Sequence, residues 1–540
     1  MITALNNTQQ GELYGALLSA FPNRGMLERL SWHHLGQRLY VIASDKNLAD
    51  TVSDLIGWAD SRGRIGDLIT AAVRDNPDNP ALRAFLTQIN GEIGGKATQQ
   101  EVTPNRAVGN GPTPTEPATV LLAYMVGDIA VVDKLAVLLQ ARGLRVKRAV
   151  HRHPTLPMDM DDLRKNVGQV ADALLLYLSV SALQDAMLCR QLPAVALARR
   201  SRDRAFPIIP VLAGITPEEL GRNGELADLQ RLVGAGQGEL IELSASDQDL
   251  RSLAGRTLNL ALTHRLAREG ESPKRLHMSF CTFPNQPATP SLHLCVDWSP
   301  LFPLVEGKHQ PPDVDRWAQD LLPALADIGA AINRTHISEI EVWLAAHIPA
   351  AVALGYTLSP KATLNRRVFW HQVDYGSQQE SVWTYSNDPL ALKSEDALIL
   401  TCDPIHAHAS EPSLLLELPI TRGEVTRDVQ MWLTSQTAIP QWHLRGVPQR
   451  VGRDSIKSGA HAAIWIWQIG EQVRRQWVEN QTSAVHLFTA CPAAFAALLG
   501  QELYDREAHQ HPIHLYHETT DKTQGYRHVC TLGVSLVPPP

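Results

Sequence analysis

The chain has 540 residues, a length that favours about three domains over one. It carries 49 Lys and Arg against 56 Asp and Glu, a net charge of -7, which argues against sequence-independent binding to long nucleic acid because such binding needs a basic footprint. No apolar run reaches the roughly 18 residues of a membrane span, and the first twenty residues lack a signal-peptide pattern. The six cysteines form no CxxC pair, which favours buried thiols in a reducing cytoplasm.

The first predicted element is a small all-α bundle over residues 1–96. Apolar residues recur at helical spacing, as at Leu17 and Phe21, and Asn79 followed by Pro80 has the pattern of a helix N-cap and first helical residue. We see no catalytic pattern in this part of the chain. A helical bundle of this size is more often an interaction module than an enzyme.

Residues 97–118 form a predicted linker. The stretch contains almost no large apolar residue and is rich in Gly, Pro and Thr. A flexible coil of this composition would let the bundle reach a partner independently of the rest of the chain.

The next segment, residues 119–270, predicts an α/β domain with a flavodoxin-like fold. Short apolar runs alternate with helical patterns, which is typical of right-handed βαβ units and a parallel sheet. In such a sheet, functional residues lie at the carboxyl ends of the strands. The predicted strands are 120–124, 144–150, 171–179 and 207–212.

Residues 271–540 predict a second α/β domain, built of two fused halves. A similar pattern occurs at 339–355 and 484–500, where an apolar strand runs into a Pro-containing turn and then an Ala-rich helix that we expect glycine to close. A helix N-terminus offers free backbone N–H groups to phosphate. Two such junctions facing each other would hold a ligand that carries several phosphates.

Ten residues are candidate ligand contacts. The two turns supply most of them, the cations are possible charge partners, and a tryptophan lies near the expected cleft. The alternative interpretations are that the turns are simply tightly packed, that the cations are solvated surface and that the tryptophan belongs to the core. The candidates are His347, Ile348, Pro349, Arg366, Trp370, Lys457, Thr489, Ala490, Cys491 and Pro492.

A metal site is not expected. Cys402, His406 and His408 lie close together in sequence, but no second pair has zinc-ligand spacing, so scattered histidines in a His-rich chain explain them better.

Three segments resemble known families. LLAYMVGD at 121–128, DLRKNVGQVADALLLYLS at 162–179 and FPIIPVL at 206–212 resemble a TIR domain. HLFTACPAAFAALLGQEL at 486–503 with IHLYHE at 513–518 and VFWHQ at 368–372 resembles a SAVED domain, a sensor made of two CARF-like halves. ELYGALLSAFP, LIGWADSRGR and NPDNPALRAF in the first ninety residues resemble the death-like, effector-associated adaptor domains of bacteria.

Together these resemblances imply a cytoplasmic antiphage effector with no required cofactor. SAVED domains bind a cyclic tri- or tetranucleotide, such as a cyclic oligoadenylate, made by a CBASS nucleotidyltransferase or a type III CRISPR polymerase. Ligand binding then drives assembly into a homo-oligomer or filament. The clustered death-like domains would recruit a second protein with a matching domain, for example a protease. Neither long nucleic acid nor a membrane is an expected partner.

The TIR resemblance also implies NAD hydrolysis, but the sequence departs from it. Aligning SALQDAMLCRQLPAVAL at 181–197 with the family pattern puts Gln191 where the catalytic glutamate belongs, and no glutamate occurs between Glu116 and Glu218. An amide cannot stabilise the cationic sugar of glycosidic cleavage as a carboxylate does. Two explanations stay open, a natural pseudoenzyme and an inactivated form of an NADase, and only the second would use NAD. A third hypothesis for the whole chain is a structural adaptor that acts without a ligand.

Overall fold

The computed structural model describes most of the chain, and its residues fall into two compact units, Met1–Gly109 and Asn110–Pro540. The described residues are 7–21, 23–35, 39–43, 47–61, 64–76, 79–82, 85, 116–151, 164–184, 187–216, 241–243, 246–269, 275–283, 292–305, 307–373, 380–384, 398–405, 411–456, 458–506, 510–519 and 525–533. Most of the expected linker, the residues between His406 and Ser410, and Lys457 therefore lie outside the described part.

The first unit is helical, as predicted. Its core collects the apolar residues that the helical spacing selects, including Leu17 and Phe21. The Asn79 Oδ1 atom accepts hydrogen bonds from the backbone N–H groups of Ala81 and Leu82, both at 3.1 Å, which confirms the predicted N-cap. The helices are α1 (Asn7–Ala20), α2 (Arg24–Leu35), α3 (Leu39–Ile42), α4 (Leu48–Ser61) and α5 (Ile65–Asp75).

The second unit begins with a five-stranded parallel sheet in the order β2-β1-β3-β4-β5, the flavodoxin-like order. The four predicted strands are all present. The continuous apolar runs of β1, β3 and β4 are buried because helices cover both faces of the sheet. The strands are β1 (Thr119–Met125), β2 (Arg145–His151), β3 (Ala173–Ser179), β4 (Ile208–Ala213) and β5 (Ile241–Leu243), and the helices are α6 (Ile129–Gln140), α7 (Leu192–Arg202) and α8 (Asp247–Arg268).

A second sheet follows in the order β12-β11-β10-β6-β7, in which only β12 is antiparallel to its neighbour. A small hairpin, β8–β9, lies between β7 and the next helix. The elements are β6 (Arg275–Cys281), β7 (Leu294–Asp297), β8 (Leu304–Val305), β9 (Lys308–His309), α9 (Leu322–Asn333), β10 (Glu339–Ala345), α10 (Ile348–Thr357), β11 (Arg367–Val373) and β12 (Glu380–Thr384).

The third sheet has the order β13-β15-β14-β16-β17-β18, with β13 and β18 antiparallel to their neighbours. Its elements are β13 (Ile399–Pro404), β14 (Glu411–Pro419), α11 (Val425–Ser435), β15 (Pro440–Val447), α12 (Gly459–Glu479), β16 (Ala484–Ala490), α13 (Ala493–Asp505), β17 (Ile513–Glu518) and β18 (Tyr526–Leu532).

The second and third sheets repeat one topology. Read in chain order, β6, β7, β10, β11 and β12 occupy the same sheet positions as β14, β15, β16, β17 and β18, and the last strand of each set is antiparallel. The helix after the third strand is α10 in one half and α13 in the other. The internal repeat predicted from sequence thus corresponds to two α/β halves of like strand order, with β13 as an addition to the second.

The first sheet and the two halves share one hydrophobic core. The buried Arg142 guanidinium pairs with the Asp327 carboxylate at 2.6 Å, and the Trp298 indole N–H donates to the carbonyl of Ala141 at 2.8 Å. Gly143, at φ +85°, lies against β7, where a Cβ atom would come within 2.9 Å of the Val296 side chain. Packing is therefore continuous past residue 270, and the boundary drawn there stays a prediction.

Candidate functional site

The two halves meet where helices α10 and α13 cross at backbone contact. A Cβ atom on Gly355 would lie 1.9 Å from the carbonyl oxygen of Ala497, and one on Gly500 would lie 2.1 Å from that of Val352. The sequence pattern placed these glycines at helix ends, but α10 continues to Thr357 and α13 to Asp505. That expectation is wrong, because what requires glycine here is the close approach of two helices.

Both helices begin at the carboxyl ends of parallel strands, α10 after β10 and α13 after β16. Pro349 occupies the first turn of α10, where its missing N–H is of no consequence, and Pro492 is the N-cap residue of α13. In α13 the backbone N–H of Ala494 donates to the side-chain oxygen of Gln372 at 3.0 Å. Since Gln372 belongs to β11, this bond joins the two halves at the candidate site.

His347 is the N-cap residue of α10, and its ring is held by protein partners. The Nε2 atom lies 3.1 Å from the carbonyl oxygen of His309, which can only accept, so Nε2 carries the hydrogen. The Nδ1 atom then accepts from the Thr282 hydroxyl at 2.7 Å, while the backbone N–H of His347 donates to the same hydroxyl at 2.8 Å. Burial lowers the pKa of His347 to about 4, so the ring is neutral.

Aromatic rings enclose the same imidazole. Phe283 stacks on it at 4.1 Å between centroids, and Phe302 stacks on it at 4.9 Å. His517, from β17 of the other half, meets its edge at 5.4 Å. Burial first, and then the neighbouring His347, lower the pKa of His517 to about 3. The His347 side chain therefore contacts both halves and offers no vacant ring nitrogen in this conformation.

The equivalent turn in the second half packs against the end of β14. The Thr489 hydroxyl donates to the carbonyl of Leu418 at 3.1 Å, and the Ala490 carbonyl accepts from the N–H of Thr421 at 2.9 Å. Cys491 is buried, which raises its pKa to about 12 and keeps it a neutral thiol. A ligand would meet this turn through its backbone and through Pro492, which is partly exposed, as is Ile348 in the other turn.

Arg366 and Trp370 do not lie with these turns. Arg366 is buried at the opposite, amino-terminal edge of the second sheet, where it donates to the carbonyls of Ile337 at 2.7 Å and Thr335 at 2.8 Å. Trp370 is fully buried, and its indole N–H donates to Gln501 at 3.0 Å. These contacts are those of core residues, so the geometry does not favour a role in ligand binding for either. Lys457 lies outside the described residues.

A cavity of about 470 Å³ lies near the candidate site. Of the described residues that line it, nine lie between Pro300 and Arg316, and the other two are Thr519 and Arg527 of the last hairpin. Its wall thus combines a segment of the first half with β18 and the residue that follows β17. We did not predict it from the sequence, because residues far apart along the chain form it; four prolines within thirteen residues, 300–312, were the available signal.

The first sheet also carries polar side chains at its carboxyl edge. The Ser179 hydroxyl donates to the Asp128 carboxylate at 2.7 Å and lies 2.7 Å from the Ser181 hydroxyl. β1 and β3 are neighbours, but the strand order continues from β1 to β2 on one side and from β3 to β4 and β5 on the other, so this is the topological switch point of the sheet, the usual place for a ligand. Gln191 is the last residue of a short π-helical segment (Met187–Gln191) that leads directly into α7, and it is exposed.

The described residues hold no group of three His, Cys, Asp or Glu side chains that would bind a metal ion. None of the six cysteines forms a disulfide. No helix in the described ranges has the length and apolar character needed to cross a bilayer.

These features define a multidomain protein: an N-terminal helical region followed by an α/β body whose C-terminal part has two halves of like topology. Comparison with known families is more specific. Residues 3–90 match the model of effector-associated domain 1, and residues 321–532 match the SMODS-associated and fused to various effectors sensor domain, SAVED. The chain therefore carries an effector-associated domain and a SAVED sensor domain. Neither match covers residues 119–270, so the TIR resemblance stays a prediction.

Solved structures of low sequence identity align with about three quarters of the chain. They include the Acinetobacter baumannii Cap4 SAVED/CARF-domain containing receptor with the cyclic trinucleotide 3'3'3'-cAAA, at 14% identity over 75% of this chain and 98% of that chain, with a TM-score of 0.37. The Moraxella osloensis Cap4 receptor is 12% identical over 74% of this chain and 97% of that chain, with a TM-score of 0.34. No relative was found among curated proteins.

Proposed function

We propose that this protein is an antiphage defence effector that a cyclic oligonucleotide activates. In this proposal the SAVED domain binds a cyclic tri- or tetranucleotide, protomers then assemble through the SAVED and first-sheet surfaces, and the clustered N-terminal domains recruit a partner protein. The activating ligand is the only small molecule that this function requires.

One observation carries the proposal: two α/β halves of like strand order meet through α10 and α13, within a region that matches the SAVED sensor model. The bond between Gln372 and the first turn of α13 and the contact of His347 with His517 bring the N-terminal turns of both helices to the same side of this interface. Each turn presents backbone N–H groups and partial positive charge, which favour phosphate. A cyclic ligand with repeated phosphates suits such a paired site better than a linear one, because its phosphates are already arranged in a ring.

The cross-half contacts suggest how binding would be transmitted. Gln372 of the first half accepts a hydrogen bond from the first turn of α13, and His517 of the second half contacts the His347 ring. Each half therefore contributes a side chain to the part of the site that the other half forms. Because these contacts join the two turns, a ligand that moves one turn should also move the other. The shared core and the Arg142–Asp327 pair then connect this movement to the first sheet.

Recruitment through the N-terminal domain is supported by the match to effector-associated domain 1 and by the absence of a catalytic pattern in its sequence. If the domains bind a partner weakly as monomers, clustering on an assembly raises their effective concentration and hence their avidity. A homo-oligomer or filament formed on ligand binding would provide that clustering.

NAD hydrolysis is the second candidate function. The flavodoxin-like strand order, with Asp128 and Ser179 at the switch point, favours a small-molecule site in the first sheet. Gln191 at the expected glutamate position argues against turnover. We therefore infer a non-catalytic, assembly-forming role for this sheet.

Calorimetry of the full chain with a panel of cyclic tri- and tetranucleotides tests the proposal. We expect at least one member to bind with a dissociation constant below about 1 μM. Light scattering on the same mixture should then show conversion of a small species into large assemblies. A broad panel without a sub-micromolar binder would contradict the sensor function, and an unchanged mass at saturation would contradict the assembly step.

A further inference from the structure

The N-terminus of α13 is capped by a side chain from the other half of the molecule. Its N-cap residue is Pro492, which has no side-chain oxygen and makes no capping hydrogen bond. The backbone N–H of Ala494, the second residue of the helix, donates instead to the Gln372 side-chain oxygen at 3.0 Å. These residues are 122 positions apart, so a long-range contact replaces the usual local cap.

Helix α10 of the first half has no equivalent donor. The second residue of α10 is Pro349, and proline has no backbone N–H. The backbone N–H of its N-cap residue, His347, donates to the Thr282 hydroxyl of the same half. The N–H at the second helical position is thus present in α13 and missing in α10, and Gln372 engages the one that is present.

The Gln372–Ala494 bond lies where the proposed function needs a phosphate to bind. Gln372 is the next-to-last residue of β11, at the carboxyl end of the second sheet, and it is partly exposed. Ala494 is fully buried. A phosphate at the start of α13 can therefore reach the N–H of Ala494 only after the Gln372 side chain has moved.

The energetics of the bond favour its replacement by an anion. A hydrogen bond between an uncharged side-chain oxygen and a backbone N–H contributes modestly to stability, whereas a charged acceptor bonds roughly twice as strongly. The partial positive charge at a helix N-terminus adds to the advantage of the anion. A phosphate group therefore replaces the Gln372 oxygen at this N–H, whereas an uncharged acceptor has no such advantage.

A second glutamine joins the halves in a different way. Gln501 of α13 is fully buried, its side-chain oxygen accepts from the Trp370 indole at 3.0 Å, and its amide N–H donates to the Leu358 carbonyl at 2.9 Å. Because Gln501 directly follows Gly500, these bonds lie at the crossing of α10 and α13. They hold the two helices together whether or not Gln372 is bonded.

We propose that the Gln372–Ala494 bond is a latch, a contact that a phosphate of the activating ligand must break. The inference rests on the proposed function and adds the step by which the ligand acts on the protein. In the described conformation the latch joins the two halves beside the crossing of α10 and α13. When a phosphate takes the N–H of Ala494, the latch is lost, and the crossing at Gly355 and Gly500 remains as the pivot about which the halves turn.

The test measures binding of cyclic tri-adenylate and cyclic tetra-adenylate to the full chain by calorimetry. Gln372→Met keeps the size of the side chain and removes the acceptor, so we expect about fivefold tighter binding, the factor that corresponds to one uncharged hydrogen bond. Gln372→Glu keeps an acceptor and adds negative charge, so binding should weaken by about tenfold or more. Ser246→Ala, which removes the N-cap side chain of α8, is the matched control and should leave binding unchanged.

A purely structural cap would give a different result. Gln372→Met would then lower thermal stability, as Ser246→Ala does, without tightening binding, and this would overturn the latch while the proposed function stands. If Gln372→Met does not fold, Gln372→Glu still decides, because affinity equal to that of the parent would also overturn the latch. If neither probe binds the parent or the two Gln372 variants, the latch is overturned as well, and the wider ligand panel decides the proposed function. Binding by Gln372→Met but not by the parent would support the latch.

Discussion

At the scale of single residues, the side chains of the candidate site are mostly uncharged and are already hydrogen-bonded to other protein groups. His347 is deprotonated because burial lowers its pKa to about 4, and both ring nitrogens have protein partners. The sequence indicated this residue through its place in a repeated turn. It could not indicate its partners, because Thr282 and His309 are 65 and 38 residues away in the chain. For the same reason the inward orientation of Arg366 was not foreseen.

Gln191 gives a prediction for the first sheet. We expect the chain not to release nicotinamide from NAD even when saturated with ligand, because an amide lacks the charge that stabilises a cationic sugar. If the protein is a natural pseudoenzyme, Gln191→Glu should also release no nicotinamide, because its pocket has had no reason to keep the geometry that positions the ribose. Nicotinamide release, followed by chromatography, is the readout.

The two possible positive results have different meanings. Ligand-dependent release by Gln191→Glu alone would identify the chain as an inactivated NADase. Release by the unmodified chain would contradict both the alignment of Gln191 and the argument from charge.

Glu417 gives a prediction for pH dependence. It is fully buried, and burial alone would raise its pKa, but hydrogen bonds from His443 and Thr426, helped by Arg445, outweigh burial and hold the pKa below 4.5. The ionised form is therefore favoured in the folded state, and its stabilisation is present above pH 4.5 and lost as pH falls through the folded-state pKa.

Glu417→Gln should accordingly lower the free energy of unfolding by about 2 kcal/mol at pH 7. Thermal unfolding of both proteins between pH 7 and pH 3.5 should show the difference shrinking as pH falls. Glu518→Gln, which breaks the exposed pair with Arg422, is the control and should cost less than about 1 kcal/mol. A difference that is constant with pH would rule out the assigned role of the carboxylate.

At the scale of elements, apolar periodicity in the sequence predicts the strands and helices, but it does not predict which of them contact each other. The repeated blocks at 339–355 and 484–500 do form strand, turn and helix in both halves. Gly355 and Gly500 were misread as helix ends because glycine near the end of an apolar helical run usually marks its C-terminus. Only the crossing of α10 and α13 reveals the true constraint, and a crossing joins segments 145 residues apart.

Gly355→Ala tests that crossing. The new methyl group would lie within 1.9 Å of a backbone oxygen, so the helices must separate, and we expect a loss of about 3 kcal/mol in the free energy of unfolding. Gly57→Ala in α4 is the matched control, because nothing lies within 4 Å of its added Cβ and alanine favours helix. Thermal unfolding should show a large decrease for the first and none for the second. Equal stability of Gly355→Ala and the parent would contradict the described contact.

At the scale of the whole molecule, the sequence predicted helical, α/β and two-halved α/β regions in the right order, and the structure contains them. It also predicted a boundary near residue 270, which stays a prediction because packing is continuous across that position. The reason is physical: a core is defined by which surfaces meet, and the apolar faces of α6, α8 and α9 meet across that position. Composition and periodicity describe each element but not the surface that it faces.

Removing residues 1–96 tests whether partner recruitment and ligand-driven assembly depend on different parts of the chain. The shortened chain keeps every residue of the proposed ligand site, so its affinity for a cyclic oligonucleotide and its ligand-driven assembly should match those of the full chain. Capture of a partner carrying a matching effector-associated domain should be lost. Calorimetry, light scattering and co-purification measure the three properties. Loss of assembly on deletion would show that the bundle itself builds the oligomer.

The most direct measurement is the stoichiometry and affinity of the tightest cyclic oligonucleotide compared with its linear counterpart, by calorimetry of the full chain. If the two halves build one shared site, one cyclic ligand should bind per chain, and opening the ring should weaken binding by at least about a hundredfold, because the linear form must be ordered on binding. Two ligands per chain, or equal affinity for cyclic and linear forms, would contradict a single site shared between the halves.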